Sequence, residues 1–215
     1  MSAAHVRVLE AGDRAVLLAP DDHADLAGLV DRLRADTPAG VQDVLPAAET
    51  VLVVLGDDAD RAAVQRRLLD VFEASRPASV DRTVDAIEPV TVPVRYDGPD
   101  LPDVAALLGV DVEDVIAAHT GRTWRCAFIG FAPGFGYLES TMPGLAVPRR
   151  TQSRTAVPAG AVALADGYSA VYPRRSPGGW QIIGTTEVPM WSLDRPEPAL
   201  LQPGTVVRFV DEGTR

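Results

Sequence analysis

From Thr123 to the C-terminus this sequence carries frequent turn signals and no helix signals. Pro-Gly, Asp-Gly and Pro-Gly-Gly steps separate short apolar segments at Thr123–Phe131, Ala161–Ala165, Ser169–Tyr172, Trp180–Gly184, Val188–Leu193 and Thr205–Phe209. Proline fixes φ and removes a donor, and glycine opens φ > 0, so these steps end strands and forbid long helices. That pattern predicts an all-β barrel or sandwich for the C-terminal half.

The N-terminal half reads differently. His5–Glu10 and Ala15–Ala19 look like two strands joined by a Gly-Asp turn. A helix capped by Asp21 or Asp22 is expected to run to about Asp36, with Leu26, Leu29, Val30 and Leu33 on one face. Strands at Val41–Leu45 and Thr50–Leu55 follow, then a helix over Ala59–Ala74 with Val64, Leu68, Val71 and Phe72 inward. A final strand is expected near Val84–Ile87, and Ser75–Ser79 reads as a linker. The order β-β-α-β-β-α predicts a small α+β domain over residues 1–79, followed by a β-barrel domain over 80–215. The second domain opens with a strand at Val90–Arg95 and two short helices, Leu101–Leu108 and Val112–Thr120, the latter capped by Asp111 with Asp114 three residues on.

The chemistry is concentrated in Phe128–Trp180, where Gly130, Gly134 and Gly136 alternate with Phe131, Phe135 and Tyr137. Between Arg122 and Trp180 stand seven arginines (Arg122, Arg125, Arg149, Arg150, Arg154, Arg174 and Arg175) against two acids, Glu139 and Asp166, in a chain of formal net charge −10. A positive region in an acidic protein suits a small anionic ligand or an acidic partner surface. Arginine presents a planar fork to a carboxylate or phosphate. The alternative is that the arginines pair with acids elsewhere in the chain. Tyr137, Tyr172 and Trp180 could stack a planar ligand or sit half-buried in the barrel.

Several chemistries are disfavoured. The chain has no lysine, which removes a phosphate-loop lysine, a Schiff-base lysine and a biotin attachment site. The two short helices imitate a helix-turn-helix, but Asp100–His119 holds five acids and no arginine, so a phosphate-facing role fails. Cys126 could be a nucleophile with His119 as its base, but strand alternation sets it beside Trp124 and Phe128, as a small buried hydrophobe. Ser176 precedes Pro177-Gly178-Gly179, a turn able to bind an anion through backbone N–H groups, and lacks a nucleophile-elbow context. His5, His23 and His119 offer no metal spacing. No apolar run approaches the ~20 residues of a membrane span. MSAAHVRVLE lacks the features of a secretory leader, and a cytoplasmic chain is the simplest expectation.

Phe128-Ile-Gly-Phe-Ala-Pro-Gly-Phe-Gly-Tyr-Leu138, Pro148-Arg-Arg-Thr-Gln-Ser-Arg154, Val157-Pro-Ala-Gly160 and Ser176-Pro-Gly-Gly-Trp-Gln-Ile-Ile-Gly-Thr185 resemble the family of 5-oxoprolinase B subunits. That family is also called allophanate hydrolase subunit 1, corresponds to carboxyltransferase subdomains C and D, and includes a sporulation-kinase inhibitor. The resemblance implies a small N-terminal α+β domain and a C-terminal cyclophilin-like β-barrel. It implies a hydrolase subunit, inactive alone, of a complex that opens 5-oxo-L-proline to L-glutamate. ATP is then a cosubstrate of the complex, with no cofactor bound here by a recognisable motif. The implied partners are a homologous subunit 2, which is the 5-oxoprolinase C subunit or allophanate hydrolase subunit 2, and a third 5-oxoprolinase subunit. No nucleic acid or membrane is implied. A kinase-inhibiting binding module and an allophanate hydrolase or urea carboxylase-associated subunit are the other readings.

On this resemblance the substrate-binding residues are Phe131, Pro133, Gly134, Phe135, Tyr137, Arg149, Arg150, Arg154, Tyr172, Ser176, Gly178, Gly179 and Trp180, and no catalytic residue is assigned. Two departures stand out. Gly136 replaces a proline usual in the family, which predicts a more mobile loop. Asp166-Gly-Tyr-Ser-Ala170 replaces a Gly-Gly-Gln-Thr-Gly segment.

Overall fold

The computed structural model describes residues 5–21, 26–74 and 88–214. The chain divides into two compact units, Met1–Thr83 and Val84–Arg215.

The first unit runs β1 (Val6–Glu10), β2 (Ala15–Pro20), α1 (Leu26–Ala35), β3 (Val41–Pro46), β4 (Val51–Leu55) and α2 (Arg61–Ala74). Its sheet has the order β1-β2-β4-β3 with every neighbour antiparallel. The helical spacing of Leu26, Leu29, Val30 and Leu33 on α1, and of Val64, Leu68 and Val71 on α2, turns both apolar stripes onto one sheet face. There they meet Val16, Leu18, Val44, Val51, Val53 and Leu55. Each such side chain taken out of water contributes roughly 1.5–3 kcal/mol before its entropy cost. These elements lie where the sequence predicts them. The linker at Ser75–Ser79, the strand at Val84–Ile87, the Asp22 cap and His23 lie outside the described residues.

The second unit runs β5 (Val90–Val94), α3 (Leu101–Leu108), α4 (Val112–Thr120), β6 (Trp124–Ile129), β7 (Gly136–Glu139), β8 (Arg154–Val157), β9 (Ala161–Ala165), β10 (Tyr168–Val171), β11 (Ser176–Gly178), β12 (Gln181–Thr185) and β13 (Val206–Asp211). Seven strands form one sheet in the order β12-β9-β10-β7-β6-β13-β5. A bridge between Arg95 and Thr185 joins its two ends, so the sheet nearly closes into the expected barrel. Closure leaves few open edges. The interior is filled by residues such as Trp124, Leu138, Leu164, Ile183 and Phe209. β8 and β11 pair separately as a two-stranded ribbon. Among the described residues no helix is long and apolar enough to cross a membrane.

Three expectations need correction. Val188–Leu193 is not a strand; only Trp191 bridges, to Ala199, because Pro189 and the turn at Ser192–Arg195 interrupt the ladder. The glycine-rich loop is shorter than it reads, since Gly136–Glu139 is a strand paired with both β6 and β10. Gly136, expected to loosen the loop, is a buried strand residue paired with Ile129. A Cβ there would stand 3.2 Å from the Cys126 sulfur and from Leu201, so the position is held by packing.

Candidate functional site

The site begins with a tight approach of backbone to backbone. After β5 the chain turns through Asp97-Gly98-Pro99-Asp100. The Gly98 N–H donates to the Ile183 carbonyl at 3.2 Å and the Asp100 N–H to the Ile182 carbonyl at 3.0 Å. A Cβ on Gly98 would lie 2.2 Å from the Ile183 carbonyl carbon, so only glycine fits. This places Asp100, at the start of α3, against β12.

There the Asp100 carboxylate is 1 % exposed and fully engaged. It accepts the Ile182 backbone N–H at 2.7 Å. Arg154 donates through both terminal nitrogens, at 2.7 and 2.8 Å. Arg150 adds a third guanidinium contact at 2.5 Å. Burial alone would raise the Asp100 pKa. The Arg154 and Ile182 hydrogen bonds and the two positive charges outweigh it and hold the carboxyl below its ordinary range. Two arginines share one carboxylate, and their side chains remain 31 % and 24 % exposed, so one unit of positive charge is left over at a partly open face.

The segment carrying these arginines is fastened to the neighbouring ribbon. The Arg150 N–H donates to the Gly179 carbonyl at 2.7 Å, and Gln181 donates its side-chain amide to the Pro148 carbonyl at 3.1 Å. Arg154 on β8 pairs with Gly178 on β11, and Val157 with Ser176. The absence of a side chain at Gly178 lets the Tyr172 hydroxyl approach the ribbon closely, since a Cβ there would overlap it. That hydroxyl also meets the Trp180 backbone N–H, while burial raises the Tyr172 pKa. Gly179 backs onto the Ser153 hydroxyl, 2.8 Å from where its Cβ would be. Ser176 donates to the Arg174 carbonyl at 3.0 Å, so its hydroxyl shapes the turn.

Beside the ribbon lies an aromatic cluster. Phe135 meets Tyr137, Tyr172 and Trp180 edge-on with centroids 5.0, 5.2 and 5.6 Å apart. Phe135, Tyr172 and Trp180 are buried, so they chiefly pack one another. Tyr137 is half-buried and stacks on Phe128 at 4.2 Å. Phe131 is different. It is 59 % exposed, and touches the cluster only at its edge, 5.2 Å from Phe135 and 6.3 Å from Tyr172. Its backbone takes φ 65°, a left-handed conformation unusual for a bulky residue. The turn is locked by Ala132 N–H to Gly130 O, Phe135 N–H to Ala132 O, and Gly134 at φ 82° against the Met190 carbonyl. Exposed Pro133 lies beside it.

The thirteen sequence-predicted residues lie in neighbouring segments, but Phe135, Tyr172, Ser176 and Trp180 are buried among them, and the Arg149 charge opposes the burial that raises the pKa of Tyr137 and Tyr172. Arg149 turns to Asp166 at 3.0 Å, a pair more than half exposed at both ends. The anions that Arg149, Arg150 and Arg154 meet within the chain are its own Asp166 and Asp100. Sequence reasoning missed Asp100. The signal was present in Gly98-Pro99-Asp100, where a glycine and a proline precede a helix start, but it reads as an ordinary turn and cap.

The nucleophile reading of Cys126 fails on geometry. Its sulfur is buried, faces the Phe128 carbonyl at 3.5 Å, and burial pushes the thiol up to about 12. His119 is committed elsewhere, with Nδ1 2.7 Å from the Tyr96 hydroxyl, Nε2 2.9 Å from the Ser169 hydroxyl, and its ring stacked on Phe209 at 4.4 Å. Burial, aided by Arg122, lowers its pKa to about 3, so the imidazole is neutral. Ser169 and Tyr168 belong to the segment that departs from the family pattern. Ser169 bonds a core histidine and Tyr168 packs on Tyr137 and Phe128, so that departure alters packing. Among the described residues no group of three or more His, Cys, Asp or Glu could hold a metal.

Comparison with known proteins gives the family of the chain. Residues 6–201 match the family model of the carboxyltransferase domain, subdomain C and D. The chain is 36 % identical to the 5-oxoprolinase B subunit of Escherichia coli O157:H7 over 94 % of both chains. It superposes on the crystal structure of TTHA0988 with a TM-score of 0.73 at 33 % identity, covering 93 % of this chain and 40 % of that longer one. It also superposes on Kluyveromyces lactis urea carboxylase with a TM-score of 0.71, covering 96 % of this chain and 22 % of that one; at 17 % identity this likeness shows the fold alone.

Proposed function

The chain belongs to the family of carboxyltransferase subdomains C and D, and on that premise we propose that it is the B subunit of a cytoplasmic 5-oxoprolinase complex. One observation carries the reading: the match to a 5-oxoprolinase B subunit spans 94 % of both chains, so it covers nearly the whole relative. The reaction proposed for the complex is ring opening of 5-oxo-L-proline to L-glutamate, driven by ATP hydrolysis. The partners are a homologous C subunit and a third subunit.

Within that complex this chain binds and orients. Its one weighed nucleophile–base pair is inert: Cys126 is a buried thiol and His119, the candidate base, a buried neutral imidazole. The surplus positive charge of Arg150 and Arg154 around Asp100 suits the substrate carboxylate or an acyl phosphate, held by charge-assisted contacts. Exposed Phe131 supplies an apolar wall or a contact with the C subunit.

The test is affinity purification of the tagged full chain from its own cells, followed by an assay for 5-oxoproline- and ATP-dependent glutamate release. A co-eluting homologue of the C subunit, with activity, is expected. A chain that elutes without such a homologue and without activity overturns the reading.

A further inference from the structure

α1 and α2 cover only one face of the first unit's sheet. The register places a leucine from each of the four strands in a single row across the other face: Leu9 pairs with Leu17, Leu17 with Leu52, and Leu52 with Leu45. The outer two are 42 % and 45 % exposed. Two residues to one side, Ala15 pairs with Val54 and Val54 with Asp43. Two residues to the other side, Arg7 pairs with Ala19. Arg7 and Asp43 are the charged strand residues of this face, both exposed, at diagonally opposite corners. Neither makes an ion pair among the described residues.

We propose that this face is the contact between two copies of the chain, related by a twofold axis. The argument is self-complementarity. Strands lie ~4.8 Å apart and alternate residues ~6.8 Å apart, so the Arg7–Asp43 diagonal runs at about 45° to the strands. A twofold axis in the plane between two such faces, perpendicular to that diagonal, sets each Arg7 over the other copy's Asp43. The same operation crosses the two sheets at nearly 90°, a known mode of sheet packing. The leucine rows then cross at Leu17 and Leu52. Each outer leucine comes down toward the side of the other copy's row that carries the small residue Ala15 or Ala19. An isologous contact of this kind closes on itself and needs no second surface.

The face measures ~400 Å² in projection, small beside the ~800 Å² per partner of a stable interface, so the dimer is weak and is sought at high concentration. The experiment is sedimentation equilibrium of the full-length chain from about 1 to 300 µM. A rise toward twice the chain mass is expected. Arg7→Asp and Asp43→Arg should each weaken association about tenfold or more, since like charges then face each other. Mixing the two variants in equal amounts should restore it, because both contacts of the mixed dimer again pair opposite charges. Asp43 also accepts the Val44 N–H at 2.7 Å, so Leu9→Gln on the far edge serves as an independent probe and should weaken association as well. A monomer throughout the range overturns the proposal. So does a dimer indifferent to the charge reversals and to Leu9→Gln.

Discussion

Arg154 holds Asp100 with both arms of its guanidinium, at 2.7 and 2.8 Å, across 54 residues of chain. The pair ties the start of α3 to the ribbon that carries the candidate site. Arg154 therefore does structural work whatever it does for a ligand. Asp100→Asn and Arg154→Ala are each expected to cost about 3–5 kcal/mol, the usual cost of stripping one partner from a buried charge pair. Arg150→Ala, removing a single contact from a more exposed side chain, should cost about 1–2 kcal/mol. Urea midpoints on the purified chain give the order. Equal losses at 150 and 154 would show that the bidentate geometry is not what holds Asp100.

Acid should destabilise the chain in two windows with separate causes. His119 has its folded pKa lowered to about 3, against ~6.5 unfolded, so below ~6.5 the unfolded chain takes up a proton that the fold refuses. Its stabilising effect is complete above ~6.5 and drains away as pH falls toward the folded value. Asp100 is lowered from the ordinary carboxylate value near 4, so its contribution is present above ~4 and lost as pH falls further. His119→Asn should flatten the stability profile between pH ~6.5 and ~4 while leaving a slope below ~4; Asp100→Asn should do the reverse. A wild-type profile flat from pH 7 to 4 would exclude the buried neutral imidazole.

Gly178 and Tyr172 form a contact that can be tested as a cycle. A methyl at 178 meets the Tyr172 hydroxyl at 2.3 Å and two ring carbons at 3.0 Å. Gly178→Ala alone should destabilise by about 2–3 kcal/mol, as overpacking does. In a Tyr172→Phe background the closest atom is gone, so the cost of Gly178→Ala should fall by about 1 kcal/mol or more. Thermal unfolding of the four proteins measures the coupling. Additive costs would mean that the ribbon moves away from Tyr172 rather than clashing with it.

The fold was largely legible because its signals are local. Apolar stripes at helical spacing on α1 and α2, and turn residues between short strands, specify those elements without long-range knowledge. The aromatic and arginine residues of the candidate site stand out in the sequence for the same reason: they are dense in one stretch. Asp100 was not, because its importance lies in a contact 50 to 54 residues away that no local pattern announces. Val188–Leu193 looked like a strand because apolar content alone cannot tell a ladder from a chain interrupted by Pro189 and the turn at Ser192–Arg195. The Leu9–Leu17–Leu52–Leu45 row was equally invisible, since strand order and register must be known before four separate leucines become one surface.

Phe131 separates binding from stability. A phenylalanine at φ 65°, 59 % exposed, sits in a conformation that costs an L-residue about 1 kcal/mol or more and recovers little by burial. Asparagine tolerates that backbone conformation, so Phe131→Asn relieves strain while deleting the ring. The chain's stability should then change by less than about 1 kcal/mol, because the lost edge contacts and the relieved strain offset. If the ring faces substrate or another subunit, the reconstituted complex should nevertheless lose activity or assemble at least about tenfold more weakly, as when a hot-spot aromatic is cut from an interface. Urea unfolding of the free chain, with pull-down and turnover of the complex, reads the two effects separately. Unchanged assembly and turnover would remove Phe131 from the site, and a large loss of stability would make its ring a structural part of the Phe135–Tyr172 cluster.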